Sequence, residues 1–254
     1  MGMHRSGTSL VANWLSESGV FLGNETLEAS ESNRKGHHED KEFIKIHIED
    51  LQSKGLNGTG LLGARSGLKF AENATKEIEK LKEARNTHRI WGWKDPRSVL
   101  YLDHYSRLFP KLKVIILFRD ANSVVNSLVR RDRLFERKRT FRYRNPIKLL
   151  KHFWLFYISD KSLRKAYLRV YEEYNRSLAD FYQKNKSSCF LISHQRLVYK
   201  STEVKSELET FLNNRINLVN LNQIFDQSLV SASNTEQSLS SKEYDRLLEL
   251  ERNG

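Results

Sequence analysis

The sequence has little of what disulfide scaffolds, zinc sites and membrane spans are built from. Its 254 residues contain one cysteine, Cys189, so no disulfide can form within the chain and a reducing compartment is expected. No apolar run approaches the roughly 20 residues that a spanning helix needs. No Cys/His cluster has zinc spacing, and no secretory signal precedes Leu10. We therefore predict a cytoplasmic protein without a metal site or a membrane span in this chain.

Acidic residues are also scarce relative to basic ones. The chain has 43 Lys and Arg against 31 Asp and Glu, a net charge of +12. A polyanion, an acidic membrane face or an anionic small molecule all suit this balance. Hydrophobic residues make up 39% of the chain, which excludes a disordered tail and leaves ample material for a core.

The strand pattern predicts an α/β fold. Lys113–Phe118 is β-branched, apolar on both faces and followed by Arg119-Asp120, which is typical of a central parallel strand. Shorter strands are predicted at Ile90–Trp93 and Cys189–Ser193. Because helices alternate with these strands, we predict one domain over residues 1–254, a P-loop-like parallel sheet flanked by helices.

Helical periodicity accounts for much of the remaining chain, except for a glycine-containing loop over 53–68 and a polar, weakly periodic stretch in the last thirty residues. A helix capped by Asp120 or Asn122 is expected to run through Leu128. The other predicted helices are Leu10–Ser18, Glu42–Gln52, Phe70–Ala84, a long helix from Ile147 to about Lys184 broken near Ser159, and Val204–Leu212.

The first residues have the spacing of a phosphate-binding loop. Gly2 and Gly7 are separated by four residues, and a hydroxyl pair and a helix follow. A nucleotide-hydrolase loop has lysine directly after the second glycine, where this chain has Thr8. An anion cradle remains, with backbone N–H groups at a helix N-terminus and Arg5 inside the loop. The alternative is an ordinary turn that caps a helix.

A second candidate anion site follows the central strand. Arg119 ends that strand, and Ser127 lies about two turns into the next helix, roughly 10 Å along its axis. The two side chains can converge on one phosphate at the carboxyl ends of parallel strands. The alternative is a salt bridge at the helix start and a serine that faces solvent.

Together these segments resemble the sulfotransferase family that uses 3′-phosphoadenosine 5′-phosphosulfate, in its bacterial or carbohydrate-type branch. Residues 2–9 resemble the loop that binds the 5′-phosphosulfate, and residues 119–127 resemble the 3′-phosphate motif. Weaker similarity is present at residues 91–97 and 193–198, although Gln195 and Arg196 replace acidic residues there. The resemblance covers about residues 2–212.

The resemblance implies roles for particular residues. Lys94 would neutralise charge on the transferring group, and Arg5 would stabilise the leaving phosphate. Glu39, His37 and His38 are the candidates for the general base. The alternative for Lys94 and Arg97 is a structural ion-pair network with Asp95. No metal is expected. The residues expected to bind the donor are Arg5, Ser6, Gly7, Thr8, Ser9, Arg119 and Ser127.

The acceptor is expected to be anionic or rich in hydroxyls, such as a carbohydrate. Residues 130–151 carry ten Lys or Arg, with aromatics interleaved among them. They could form a groove for such an acceptor or only a solvated helix face. No motif for specific nucleic-acid recognition accompanies the charge, which leaves only salt-sensitive, sequence-indifferent binding as an alternative.

The chain departs from the family at its start, where only Met1 precedes Gly2. The family has a hydrophobic first strand there, so we expect that strand to be missing or truncated, leaving unpaired sheet edges. Two other functions therefore stay open. One is a degenerate family member that binds nucleotide without transfer. The other is a P-loop kinase, against which the missing lysine argues.

Overall fold

The computed structural model describes residues 1–24, 39–61, 63, 65–140, 146–225 and 239–254, apart from the side chains of 135–140 and 146–160. Within these residues a small parallel sheet is flanked by helices, so the predicted α/β class is confirmed. The strands are β1 (Val114–Phe118) and β2 (Cys189–Ser193). The helices are α1 (Thr8–Glu17), α2 (Lys41–Ser53), α3 (Glu72–Arg85), α4 (Leu102–Leu108), α5 (Ala121–Thr140), α6 (Pro146–Lys184), α7 (His194–Tyr199), α8 (Ser201–Phe211), α9 (Leu221–Ile224) and α10 (Lys242–Arg252), with 3₁₀ turns at Pro96–Tyr101 and Lys186–Ser188.

The two strands pair in parallel along their whole length. Val114 lies opposite Cys189 at one end of the ladder, and Phe118 lies opposite Ser193 at the other. Both strands therefore end at the same edge of the sheet. The segments after them, which begin with Arg119 and His194, leave the sheet side by side.

Alternation of side chains along the strands divides the core between the two faces of the sheet. Ile116 and Phe118 pack with buried residues of α5 and α6. Leu117 and Ile192 pack on the opposite face with Trp14 of α1 and residues of α8. Burial on both faces explains why β1 is apolar at every position.

The first residue of the chain also pairs with β1. The Leu117 N–H donates to the Met1 carbonyl oxygen at 2.8 Å, and the Met1 amino group donates to the Ile115 carbonyl. The strand predicted at Ile90–Trp93 is present only as a single parallel bridge between Trp91 and Phe21. The expectation of a missing first strand stays a prediction.

A cavity of about 930 Å³ lies between these edges. Its lining includes Trp91 and Trp93, together with Ile115 and Leu117 of β1 and Met1, which pairs with them. Gly92 N–H and Ile90 C=O bond to Phe21, so by strand alternation the backbone groups of Trp91 point the other way, into the cavity. Among the described residues those groups have no hydrogen-bond partner.

Two helix predictions were wrong in extent. The predicted break near Ser159 is not present, because α6 runs without interruption over 39 residues. The last thirty residues, described from the sequence as polar and weakly periodic, contain α10, whose Leu247 is fully buried. Its polar composition masked the helical pattern. Over the described part of the chain, every helix is too short or too polar to cross a membrane.

Candidate functional site

The glycine loop leads directly into α1. Gly7 is the N-cap residue with φ of 94°, and no side chain caps the helix. The positive end of the α1 dipole lies here and favours an anion. Gly2 packs closely against β1, since a Cβ there would lie 2.3 Å from the Leu117 carbonyl oxygen. Close approach to β1 thus requires glycine at this position.

The two predicted anion motifs meet in space. Arg5 Nε donates to Ser127 Oγ at 2.8 Å, although the residues are 122 positions apart in the chain. Ser127 is on α5 and is 9% exposed. The structure thus places a residue of the 2–9 loop against a residue of the 119–127 segment, which the sequence could suggest only by resemblance.

Arginines cluster around this contact. Burial lowers the pKa of Arg5, and the neighbouring charges of Arg131, Arg130 and Arg119 lower it further. Burial also lowers the pKa of Arg119. Repulsion among partly buried cations raises the free energy of the structure unless an anion binds between them. Such a cluster is suited to binding an anion.

His194 closes the loop from the end of β2. A Cβ added at Gly7 would lie 2.7 Å from the imidazole Cδ2. Burial, with Arg119 nearby, lowers the pKa of His194 to about 4, so the ring is neutral at physiological pH. Its side chain packs on the loop without adding charge, a role that the weak similarity at 193–198 did not assign.

Lys94 and Glu39 form an ion pair beside the loop. Lys94 Nζ donates to Glu39 Oε1 at 2.7 Å and to Ser9 Oγ at 3.2 Å. Both charged side chains are 9% exposed. Burial lowers the pKa of Lys94, although Glu39 opposes that effect. The predicted cation and the predicted base are therefore in contact, next to a hydroxyl of the loop.

Arg97 belongs to a separate, buried network. Its guanidinium donates to Asp95 Oδ1 at 2.9 Å and to the Gly58 carbonyl at 2.7 Å. His47 Nδ1 lies 2.9 Å from the other Asp95 oxygen, and Tyr105 OH lies 2.9 Å from His47 Nε2. Burial would raise the pKa of Asp95, but His47 and Arg97 outweigh it and lower the pKa well below its ordinary value. The structural interpretation of Arg97 agrees with this geometry, whereas the ion pair described for Lys94 is with Glu39.

The loop holds two buried polar atoms that lack a hydrogen-bond partner among the described residues. They are His4 Nε2 and Ser6 Oγ. Burial, followed by the charge of Arg97, lowers the pKa of His4 well below its ordinary value, so its imidazole is neutral. Unpaired buried groups are costly, and a ligand anion could accept from the Ser6 hydroxyl. The orphaned hydroxyl thus fits a donor phosphate.

The structure does not describe every predicted residue. His37 and His38 lie outside the described residues, as do the side chains of 135–151, so Glu39 is the described base candidate. Within the described ranges no group of three or more His, Cys, Asp or Glu could hold a metal ion. The start of the basic stretch, Arg130 and Arg131, acts on Arg5 and so lies with the donor loop.

Comparison with known proteins gives one match. The sequence profile of a family described as "Sulfotransferase family" matches residues 1–216, most of the 254-residue chain. No curated protein and no solved structure matches the chain.

Proposed function

This chain belongs to the sulfotransferase family, and we propose that it transfers a sulfuryl group from 3′-phosphoadenosine 5′-phosphosulfate to a hydroxyl or amine of an acceptor. Family membership supports a transferase of sulfuryl groups. The donor is inferred from the contact between Arg5 and Ser127, the observation that carries the proposal. That contact joins a loop suited to a 5′-phosphate to a strand–helix corner suited to a second phosphate.

The donor-binding residues divide into two groups. The α1 N-terminus with Ser6, Thr8 and Ser9 would receive the 5′-phosphosulfate, because these groups offer N–H and O–H donors at a positive helix end. Arg119 and Ser127 would receive the 3′-phosphate. Arg5 lies between the groups, where its charge can stabilise the phosphate that is left behind.

The chemistry is an in-line displacement at sulfur. A new bond forms between the acceptor oxygen or nitrogen and sulfur, and the bond between sulfur and the bridging phosphate oxygen breaks. Lys94 is placed to compensate negative charge on the transferring group, and Glu39 is placed to take the acceptor proton. In the structure these two side chains are paired. Donor binding would draw Lys94 toward the sulfuryl oxygens and leave the Glu39 carboxylate as a base.

For the acceptor, we propose an anionic or polyhydroxyl molecule, such as a carbohydrate. The support is the chain's net charge of +12 and the basic run over 130–151. Arg130 and Arg131 act on the donor loop, so the acceptor contacts would come from the later part of that run.

The first test is calorimetric titration with adenosine 3′,5′-bisphosphate, adenosine 5′-monophosphate and ATP with Mg²⁺. Selective binding of the bisphosphate is expected. Preference for ATP would favour the kinase alternative instead, and bisphosphate binding without turnover of any acceptor would indicate a degenerate member. Absence of binding by folded protein would reject the donor assignment.

The second test is Arg119→Ala. Loss of one charge-assisted contact, about 1.5–3 kcal/mol, should weaken bisphosphate binding by about 10- to 150-fold. Binding of the monophosphate, which lacks the 3′-phosphate, should change about twofold or less. Arg107→Ala is the matched control, because Arg107 is exposed on α4, away from this segment. Equal losses for both nucleotides would disprove the 3′-phosphate assignment.

A further inference from the structure

Arg85 is a buried arginine one residue beyond the predicted helix Phe70–Ala84. It lies at the end of α3 and is 3% exposed. Its guanidinium donates through one nitrogen to Asp40 Oδ2 and through another to Glu42 Oε2. It contacts none of the residues assigned to the donor, so the proposed reaction leaves it without a role.

The first end of the Arg85 contact network leads to Glu39. Asp40 follows Glu39 directly and caps α2, accepting from the Glu42 N–H at 3.0 Å through Oδ1. Its other oxygen is held by Arg85. Both Asp40 oxygens are thus fixed, and the peptide that carries Glu39 is anchored at its carboxyl side.

The second end leads to Lys94. The Arg85 guanidinium lies 5.8 Å from the Trp91 ring centroid and 5.1 Å from that of Phe43. Phe43 stacks on Trp93 with centroids 4.5 Å apart and an angle of 5° between the rings. Trp93 immediately precedes Lys94. One guanidinium therefore links the two segments that carry the Glu39–Lys94 pair, one directly through Asp40 and the other through the aromatic rings.

We propose that Arg85 is a positioning residue that holds Glu39 against Lys94, and thereby sets the charge state of the proposed sulfuryl-transfer centre. This inference rests on the proposed function for its chemical meaning, but its geometry does not depend on any nucleotide. Arg85 acts through Asp40 and the aromatic rings, and itself touches neither Glu39 nor the donor loop.

The test measures the pKa of Lys94 by following its ¹³Cε signal against pH in protein labelled at lysine, with Lys94→Arg to identify the signal. The other charged groups that act on Lys94 are Asp95, Arg97 and the Met1 amino group, and they stay unchanged. Glu39→Gln should lower this pKa by about one to three pH units, because the opposite charge at 2.7 Å is lost.

Arg85→Met should reproduce most of that fall, raising the neutral-amine fraction about tenfold for each pH unit. The direction of the change in the Lys94 pKa distinguishes a positioning role for Arg85 from a purely electrostatic one. Removing a nearby cation without moving Glu39 would raise the pKa of Lys94, since less repulsion would act on its ammonium. In the double variant, Arg85→Met should add little to Glu39→Gln. Lys80→Met, an exposed change on the same helix, should leave the pKa unchanged.

An unchanged or higher pKa of Lys94 in folded Arg85→Met would overturn the proposal, and so would a full additional fall in the double variant. Arg85→Lys covers the case in which the Met variant does not fold. It keeps the charge but holds only one carboxylate, so it should give a partial fall. Titration with adenosine 3′,5′-bisphosphate separates this proposal from the proposed function. If the donor assignment is wrong, the bisphosphate will not bind, but the pKa results for Lys94 will be the same.

Discussion

Arg5 and Gly7, both in the phosphate loop, have left-handed backbone conformations, with φ of 69° and 94°. Gly7 has a steric reason, since a side chain there would meet His194. Arg5 is not glycine, and its conformation costs of the order of 1–3 kcal/mol. That conformation directs its guanidinium at Ser127 on α5. The strain lies where the donor phosphates are expected.

Gly7→Ala should destabilise the protein and weaken bisphosphate binding. The positive φ costs about 1–2 kcal/mol for a residue with a Cβ, and the 2.7 Å approach to His194 Cδ2 adds to it. Gly19→Ala is the matched control, because Gly19 has φ of 90° and a Cβ there would meet no atom within 4 Å. Chemical denaturation should show a clearly larger loss for Gly7→Ala. Equal losses would mean that the His194 contact is unimportant.

The strand–helix unit of β1 and α5 positions the second anion motif. Arg119 leaves the end of β1, and its carbonyl accepts from Tyr171 OH of α6 at 2.6 Å. Ser127 lies six residues after the start of α5, about 9 Å along its axis. Arg5 contacts Ser127 from the loop that precedes α1. The proposed donor site therefore draws on that loop, the end of β1 and α5, and it depends on how they pack together.

α10 supports the other strand of the sheet. Glu251 accepts from the Ser193 N–H at 2.7 Å, at the point where β2 gives way to α7 and His194. Ser241 caps this helix by accepting from the Tyr244 N–H at 3.1 Å, and it is 4% exposed. α10, which the sequence pattern did not predict, thus fixes the end of β2, which His194 follows.

Ser241→Ala should therefore lower the free energy of unfolding by about 1 kcal/mol, because the first turn of α10 loses its cap. For a chain of this size the melting temperature should fall by roughly 2–4 °C. Ser240→Ala is the control, since Ser240 is exposed and one residue outside the cap. Thermal unfolding followed by circular dichroism measures both variants. A similar effect of the two would argue against the cap.

At the scale of the whole molecule, an open slot borders the sheet. The slot is the cavity of about 930 Å³ that is lined by Trp91 and Ile115, and also by Thr8 at the end of the phosphate loop. Met1 lines it too, and its amino group donates to the Ile115 carbonyl. Burial, followed by the charge of Lys94, lowers the pKa of that group to about 5. Because the Trp91 backbone groups that face the slot have no partner among the described residues, we expect the slot to accept a parallel strand.

We expect a five-residue extension of alternating Val and Ile before Met1 to stabilise the fold at pH 8. Burying each side chain contributes about 1.5–3 kcal/mol, and ordering each residue costs about 1.5 kcal/mol. A net gain of a few kcal/mol should raise the melting temperature by roughly 5 °C or more. A Gly-Ser extension of equal length is the control. No advantage of Val-Ile over Gly-Ser would show that the slot does not accept a strand.

The same two extended chains test a pH dependence. The Met1 amino group has a folded pKa of about 5 against an ordinary value of 8.0, so between these values the unfolded state binds more protons. Stability should therefore fall from pH 8 to pH 5, by up to about 4 kcal/mol from this group. Both extensions replace the ammonium by an amide, and both should flatten this part of the profile. An equal slope with and without the extension would contradict the assignment.

The sequence predicted those elements whose pattern depends on neighbouring residues, and it missed those that depend on packing between distant segments. The apolar run of β1 and the periodicity of α1 and α2 are set by neighbouring residues, and the strand and helices predicted from them are present in the structure. α10 and the continuity of α6 were missed, because packing against the sheet and neighbouring helices stabilises them more than their own pattern does.

By itself, the sequence determined the fold class and indicated two candidate anion motifs, since strand patterning and these motifs are contained in short segments. Only the tertiary structure decided which residues meet. It placed Arg5 on Ser127 across 122 positions, paired Lys94 with Glu39, and buried Arg85 at the end of α3. Such contacts depend on how distant segments pack, and the spacing of residues along one chain does not encode distance in space.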